Sequence, residues 1–198
     1  MSHLRILESE LPKFQIELPQ VQKVALATYC DETARWNKKI NLTGLSGVDL
    51  VRRLVAEPVW IAGQLHLRGT LLDIGSGNGS PALPFLIVSE VTAAHLVEAR
   101  TKRAAFLRHV TQLLELPATV HRARLEDLTI AQVQPDWISL QGVALNDNLL
   151  AEIRRFVQPT TQIVWITSAD VKTDVFPART LTVPLTRTRA LVFQLDLS

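Results

Sequence analysis

The sequence predicts an α/β fold: a mostly parallel sheet with helices on both faces, closed by a C-terminal antiparallel hairpin and preceded by a helical extension. Three observations carry that expectation. Beyond Arg68 and Gly69, short β-rich runs alternate with longer amphipathic segments, the pattern of parallel strands joined by helical crossovers. Near the end, residues 179–185 and 189–196 are both β-prone, and only Thr186, Arg187 and Thr188 separate them. That gap is too short for a crossover, so the two runs must pair antiparallel. Before Arg68, by contrast, the apolar residues keep a helical spacing.

In chain order, Leu26, Tyr29, Trp36 and Ile40 fall close to one helical face, with Asp31 and Arg35 four apart in the favourable order. This helix should stop near residues 41–44, where Asn41, Thr43 and Gly44 favour a turn. A second helix is expected over 48–65. A strand at 70–74, a helix within 81–88 and a strand at 93–97 follow. Pro84 implies that the helix begins late or with an irregular turn. Then come a helix over 102–116, with Phe106, Val110 and Leu113 on its buried stripe, and strands at 118–121 and 137–140. A helix at 146–156 and a strand at 162–167 lead to the hairpin. Residues 1–67 read as a helical extension packed on a ligand-binding unit, 68–198.

With 198 residues, 47% of them hydrophobic and 20% charged, the chain can bury a substantial core. Disorder, collagen-like repetition and a disulfide scaffold are excluded. A net charge of +2 argues for no nucleic-acid partner by itself, so the placement of the cations matters more. The single cysteine, Cys30, and the polar opening Ser2-His3-Leu4-Arg5 favour a reducing, cytoplasmic compartment. The longest apolar run, 82–88, contains Pro84 and is too short for a bilayer.

The densest signal is Leu71-Leu72-Asp73-Ile74-Gly75-Ser76-Gly77-Asn78-Gly79. An apolar strand running into three glycines and then a helix brings backbone N–H groups close to a ligand. An ordinary tight turn is the alternative, but it rarely needs so many glycines. A dinucleotide fingerprint would place the third glycine one residue later, where Ser80 stands, and Pro81 and Pro84 remove N–H donors that a pyrophosphate wants. Asp73 further disfavours phosphate while suiting an ammonium group. These points favour S-adenosylmethionine over a nicotinamide or flavin dinucleotide, and a parallel sheet closed by a C-terminal hairpin is the architecture of class I methyltransferases. Glu98, some twenty residues on, suits either ligand because an acid there accepts ribose hydroxyls. Glu126 lies either beside an adenine or in a surface pair with Arg122 or Arg124.

Four elements then resemble, in order and spacing, the RsmG (GidB) methyltransferases: Trp36-Asn37-Lys38-Lys39-Ile40-Asn41-Leu42-Thr43, Asp73 through Pro81, Glu98 with Lys102-Arg103-Ala104-Ala105-Phe106-Leu107, and Arg124-Leu125-Glu126. The resemblance implies a cytoplasmic enzyme, working as a monomer, that moves a methyl group from S-adenosylmethionine to guanine N7 in 16S ribosomal RNA or the small ribosomal subunit. It implies a cofactor site of Asp73, Gly75, Ser76, Gly77, Gly79, Ser80, Glu98, Leu125 and Glu126. Asn41 and Gln141 are positioning candidates. Lys102, Arg103, Arg53 and Arg124 are the RNA candidates. Two cations in a helix's first turn are poorly placed for the helix dipole and are easier to explain if they meet phosphate, although a solvated turn is the alternative. Fifteen of the 21 basic residues are arginine, which suits phosphate by its planar fork. Trp60, Trp137 and Trp165 are expected in the core and Trp36 beside the site. No metal-ligand spacing occurs.

The chain departs from the resemblance at several points. Arg53-Leu54-Val55-Ala56-Glu57-Pro58 stands where the family usually has Arg-His-x-x-Asp-Ser. Gln141 and Thr167 stand where an arginine and a lysine are usual. These changes bear on RNA placement and catalysis more than on the cofactor. They keep open a diverged member that binds S-adenosylmethionine with another substrate or none.

Overall fold

The computed structural model describes residues 2–129, 133–168 and 179–196. Helices come first: α1 (His3–Glu10), a 3-10 turn (Leu11–Phe14) and α2 (Gln20–Asn37). α2 begins earlier than its spacing suggests and ends short of Asn41. The reason is the Asn37 side chain, whose Nδ2 donates to the Thr43 carbonyl at 2.8 Å. Its Oδ1 accepts from the Leu42 and Thr43 N–H groups at 2.8 and 3.0 Å, so the turn starts where this side chain can hold it. α3 (Gly47–Val51), a π-turn (Arg52–Ala56) and α4 (Glu57–Leu65) fill the stretch expected as one helix. Pro58 has no N–H for the carbonyl four residues back, and the turn ahead of it widens so that the Glu57 N–H reaches the Arg52 carbonyl.

The strands are β1 (Arg68–Ile74), β2 (Glu90–Val97), β3 (Ala118–His121), β4 (Trp137–Gln141), β5 (Gln162–Thr167), β6 (Arg179–Thr182) and β7 (Arg189–Phe193). Their order is β3-β2-β1-β4-β5-β7-β6. The first five run parallel, and β7 inserts antiparallel between β5 and β6, as the short gap before Arg189 requires. β1 and β2 start earlier than expected because Arg68 and Gly69 pair with Glu90 and Val91 ahead of a register shift. Gly69 is needed there: its φ is +79°, and a Cβ would lie 2.0 Å from Oδ2 of Asp136.

α5 (Ala82–Val88), α6 (Thr101–Leu113) and α7 (Asp147–Ile153) complete the fold. Pro84 sits in the first turn of α5, where a missing N–H leaves no bond unmade. On α6 the buried stripe runs through Phe106, Leu107, Val110 and Thr111 to Leu114, whereas Leu113 is 49% exposed. The expected place of Leu113 on that stripe is therefore corrected: four residues beyond Val110, not three, continue the face.

Alternation along the strands divides the core. Leu71, Ala94, Leu96, Val164, Ile166, Ala190 and Val192 face buried side chains of α1 through α6. Leu72, Val97, Ile138, Leu140, Ile163 and Phe193 face Ile153, Phe156 and Leu125 on the other side. The helical extension thus shares one core with a face of the sheet. Phe85 and Phe106, fully buried in it, contribute about 1.5–3 kcal/mol each.

Candidate methyl-transfer site

The carboxyl ends of the parallel strands open on a cavity of about 810 Å³. Its wall comes from the glycine turn after β1, Glu98 and Arg100 after β2, the segments following β4 and β5, Leu42, Arg53 and Leu54 of the extension, and Thr188 of the hairpin. Gly75, Ser76, Gly77, Ser80, Glu98, Arg53, Arg103 and Gln141 of the expected site residues are brought together there.

The glycine turn does not offer free donors as expected. The N–H groups of Gly75 and Ser76 donate to the Val97 carbonyl at 2.9 and 3.0 Å, and that of Gly79 to the Ser76 carbonyl at 2.6 Å. The Gly77 N–H donates to Oε2 of Glu98 at 3.0 Å and the Ser80 N–H to Oδ1 of Asn78 at 3.1 Å. The end of β2 has captured the turn, which instead supplies shape. Gly77, at φ +53°, has only Gly75, Arg103 and Glu98 atoms at 3.5 to 4.0 Å from where a Cβ would project. Gly79 is outside the cavity wall, because its missing Cβ makes room for Leu83 rather than for a ligand.

Glu98 is 6% exposed, and its other oxygen accepts the Arg100 N–H at 2.7 Å. Asp73 lies beneath the turn, 1% exposed, with Oδ1 accepting from the Ser139 hydroxyl at 2.5 Å. Its Oδ2 is buried without a partner. Burial pushes the Asp73 carboxyl up to about 6, against the pull of the Ser139 and Ser76 hydroxyls and with a further push from Glu98. Ser80 donates to Oε1 of Gln141 at 3.0 Å and ties the glycine turn to the end of β4.

The extension reaches the same place. The buried Tyr29 hydroxyl donates to the Asn78 carbonyl at 3.0 Å. Arg103 donates to the Asn41 carbonyl at 3.2 Å, so Asn41 takes part through its main chain while its side chain is exposed. Trp36, expected beside the site, is not part of the cavity wall; it packs edge-on to Phe106 at 5.8 Å and lies 5.5 Å from the His109 ring. Arg53 donates to Glu57 at 3.3 Å and to Thr188 at 2.6 Å. Burial pushes the Glu57 carboxyl above the usual range, opposed by the bonds from Thr188 and Arg53.

Besides Asp73, Gly79 and Asn41, four expected residues lie outside the wall: Leu125, Glu126, Arg124 and Lys102. Leu125 turns into the second core. Glu126 is half exposed and pairs with exposed Arg124 at 3.5 Å, the surface arrangement weighed as its alternative. Lys102 is exposed on the first turn of α6. Trp60, Trp137 and Trp165, expected in the core, are each only half-buried against it, and Trp165 lines the cavity and donates from its indole to the Val143 carbonyl at 3.1 Å. Sequence reasoning gave no role to Asn37, Tyr29, Glu57 or Thr188. Asn37 and Glu57 stood inside quoted stretches, Glu57 only four residues from Arg53; Tyr29 and Thr188 act across 49 or more residues and carry no local signal.

The family model described as rRNA small subunit methyltransferase G (GidB) matches residues 22–183. The chain belongs to this family. It is similar to the ribosomal RNA small subunit methyltransferase G of Helicobacter hepaticus, 32% identical over 143 residues, 71% of this chain and 77% of that one. The corresponding proteins of Bartonella henselae (40% identical, 59% of this chain) and Geotalea uraniireducens (34%, 68%) are matched over 56% and 63% of their own lengths. Among solved structures, an RNA methyltransferase from Salinibacter ruber in complex with S-adenosylhomocysteine is similar in fold, with TM-score 0.55, 13% identity, and coverage of 71% of this chain and 94% of that one. A precorrin methyltransferase from Geobacter metallireducens gives TM-score 0.53, 14% identity, and 77% and 89% coverage. At these identities the likeness establishes the fold of this GidB-family chain: the class I S-adenosylmethionine-dependent methyltransferase sheet.

Proposed function

We infer that this GidB-family chain transfers a methyl group from S-adenosylmethionine to N7 of a guanine in small-subunit (16S) ribosomal RNA. The observation that carries the cofactor is the glycine turn itself, with the N–H groups of Gly75, Ser76, Gly77, Gly79 and Ser80 already bonded within the protein and the buried Glu98 carboxylate in the wall. A pyrophosphate needs free donors there. A ribose diol and an ammonium group want acceptors. Glu98 and the bare Cα of Gly77 fit them, and Asp73, buried beneath the turn with Oδ2 unpartnered, adds negative charge below the wall. The nicotinamide or flavin alternative loses its footing on the same observation.

When bound, S-adenosylmethionine supplies a methyl group on a positively charged sulfur, open to in-line displacement. Glu98 accepts from the ribose hydroxyls, and Asp73 attracts the ammonium end from beneath the turn. Leu42, Leu54 and Val143 of the wall exclude water. Guanine N7 carries a lone pair and no proton, so alignment suffices and no side chain must act as a base. Gln141 and the Asn41 turn orient the base, and Arg53, Lys102, Arg103 and Arg124 meet phosphate. The product base is cationic, and neutral Gln141 and Thr167 do not oppose it.

Those two neutral residues also support a second reading, a cofactor-binding relative with another substrate or no activity. Titration calorimetry with S-adenosylmethionine, S-adenosylhomocysteine and NAD tests the cofactor; binding of NAD alone refutes it. Labelled cofactor incubated with small-subunit particles and with naked 16S RNA tests the reaction. Label in guanine supports the first reading, and its absence while the cofactor binds leaves the second. Sedimentation of the purified chain tests the monomer, and fractionation of cells tests the cytoplasmic placement.

A further inference from the structure

Glu57 takes no part in holding the cofactor, yet it is fully buried. A carboxylate persists in such a place only where its charge is met. Its Oε2 accepts from the Thr188 hydroxyl at 2.7 Å, and its Oε1 from Nη1 of Arg53 at 3.3 Å. The same Nη1 donates to the Thr188 oxygen at 2.6 Å. The Thr188 hydroxyl therefore gives to the carboxylate and receives from the guanidinium, closing a ring of three bonds. Its members come from the π-turn, from α4 and from the turn between β6 and β7.

Arg53 lines the cavity, with its side chain 38% exposed. Its bonds to described residues run through Nη1, which leaves Nε and Nη2 for the cavity. Thr188 precedes Arg189, which pairs with Thr167 at the carboxyl end of β5. Glu98 follows β2, and β1, β4 and β5 lie between β2 and β7. At roughly 4.8 Å per strand step, the two ends of the cavity are about 19 Å apart. Glu98 and the glycine turn occupy one end, so Arg53 belongs to the end left for the substrate.

The chemistry of transfer narrows what it binds there. Arginine commonly contacts guanine at N7 together with O6, which would cover the lone pair that must accept the methyl group. A phosphate oxygen leaves the base free and matches the guanidinium fork. We propose that Arg53 binds a phosphate of the RNA chain beside the target base, and that Glu57 and Thr188 are positioning residues that aim it. The proposal rests on the RNA methyl-transfer reading.

Methyl transfer to small-subunit RNA, and RNA binding across a salt series, are measured for the unaltered chain, Arg53→Gln, Thr188→Val and Thr188→Ser. In Arg53→Gln and Thr188→Val the KM for RNA rises about ten-fold, as for one charge-assisted phosphate contact, while kcat and the Kd for S-adenosylmethionine stay within about two-fold. Thr188→Ser, which keeps the hydroxyl, restores the KM. The slope of log affinity against log salt becomes shallower by about 0.7 to 1 in Arg53→Gln, the loss of one phosphate contact. An unchanged RNA KM and salt slope in Arg53→Gln would overturn the proposal, as would cofactor Kd moving in step with KM. If Thr188→Val does not fold, the salt slope of Arg53→Gln decides alone. An unaltered chain that methylates no RNA brings down the functional reading and the proposal together, whereas an active chain indifferent to Arg53→Gln brings down the proposal only.

Discussion

At the scale of single residues, Glu98 and Asp73 carry the cofactor argument in different ways. Glu98 lines the cavity and fixes the glycine turn through the Gly77 N–H. Glu98→Ala should weaken S-adenosylmethionine binding by about 1–3 kcal/mol, the loss of a charged acceptor, read by calorimetry. An unchanged Kd removes Glu98 from the ribose. Asp73 makes a prediction in pH. Its carboxyl is pushed by burial from 3.8 up to about 6, so the folded chain holds this proton more tightly than the unfolded chain. The contribution to stability is therefore fully present below the lower value and is lost as pH rises through the upper one, by at most about 3 kcal/mol. Asp73→Asn, which keeps an acceptor for Ser139, should gain stability over the unaltered chain at pH 7.5 and show little gain at pH 4 in denaturant titrations. Equal differences at both pH values would show that Asp73 does not titrate in this window. Cofactor affinity should rise between pH 5 and 7 in the unaltered chain as Asp73 ionises, and stay level in Asp73→Asn.

At the scale of elements, the strands and the hairpin were legible because alternation and a three-residue gap are local patterns. Their starts were not, since the register shift after Gly69 depends on the partner strand and on Asp136. The end of α2 escaped the helical period because a side chain, not a propensity, stops it. Asn37→Ala leaves the Leu42 and Thr43 N–H groups and the Thr43 carbonyl without their partner. It should cost about 1–3 kcal/mol in thermal or chemical denaturation. It should also raise proteolytic cleavage within residues 41–46, because that segment is then held mainly by Arg103 and the packing of Leu42 and Leu45. Cleavage unchanged from the unaltered chain would show that packing alone fixes the turn. The π-turn was illegible for a related reason. Pro58 announces a break in hydrogen bonding, but it does not say whether the helix bends, ends or widens.

At the scale of the whole molecule, the glycine turn, Glu98 and the cation Arg53 could be read from the sequence, while the partner that the hairpin brings to Arg53 could not. Arg53 and Glu57 are four residues apart, but Thr188 meets them across 131 or more residues, and only the closing of the hairpin over the extension brings it there. That closure also bears on the expected division at residue 67. Leu7, Leu26, Tyr29, Leu50 and Ile61 of the extension share one cluster with Leu71, Leu96, Val164 and Val192 of the sheet. A core of this kind cannot be split without exposing buried apolar surface on both sides, so the two parts should unfold together. Tryptophans report on each: Trp36 and Trp60 in the extension, Trp137 and Trp165 in the sheet. Replacing one pair with phenylalanine leaves the other as the probe. Both probes should give a single coincident transition in denaturant, and S-adenosylmethionine at a hundred times its Kd should stabilise both by about 2.7 kcal/mol. If the Trp36 and Trp60 probe instead melts first and ignores the cofactor, the extension folds apart from the sheet, and its bonds through Tyr29 and Arg103 to the cofactor end are incidental.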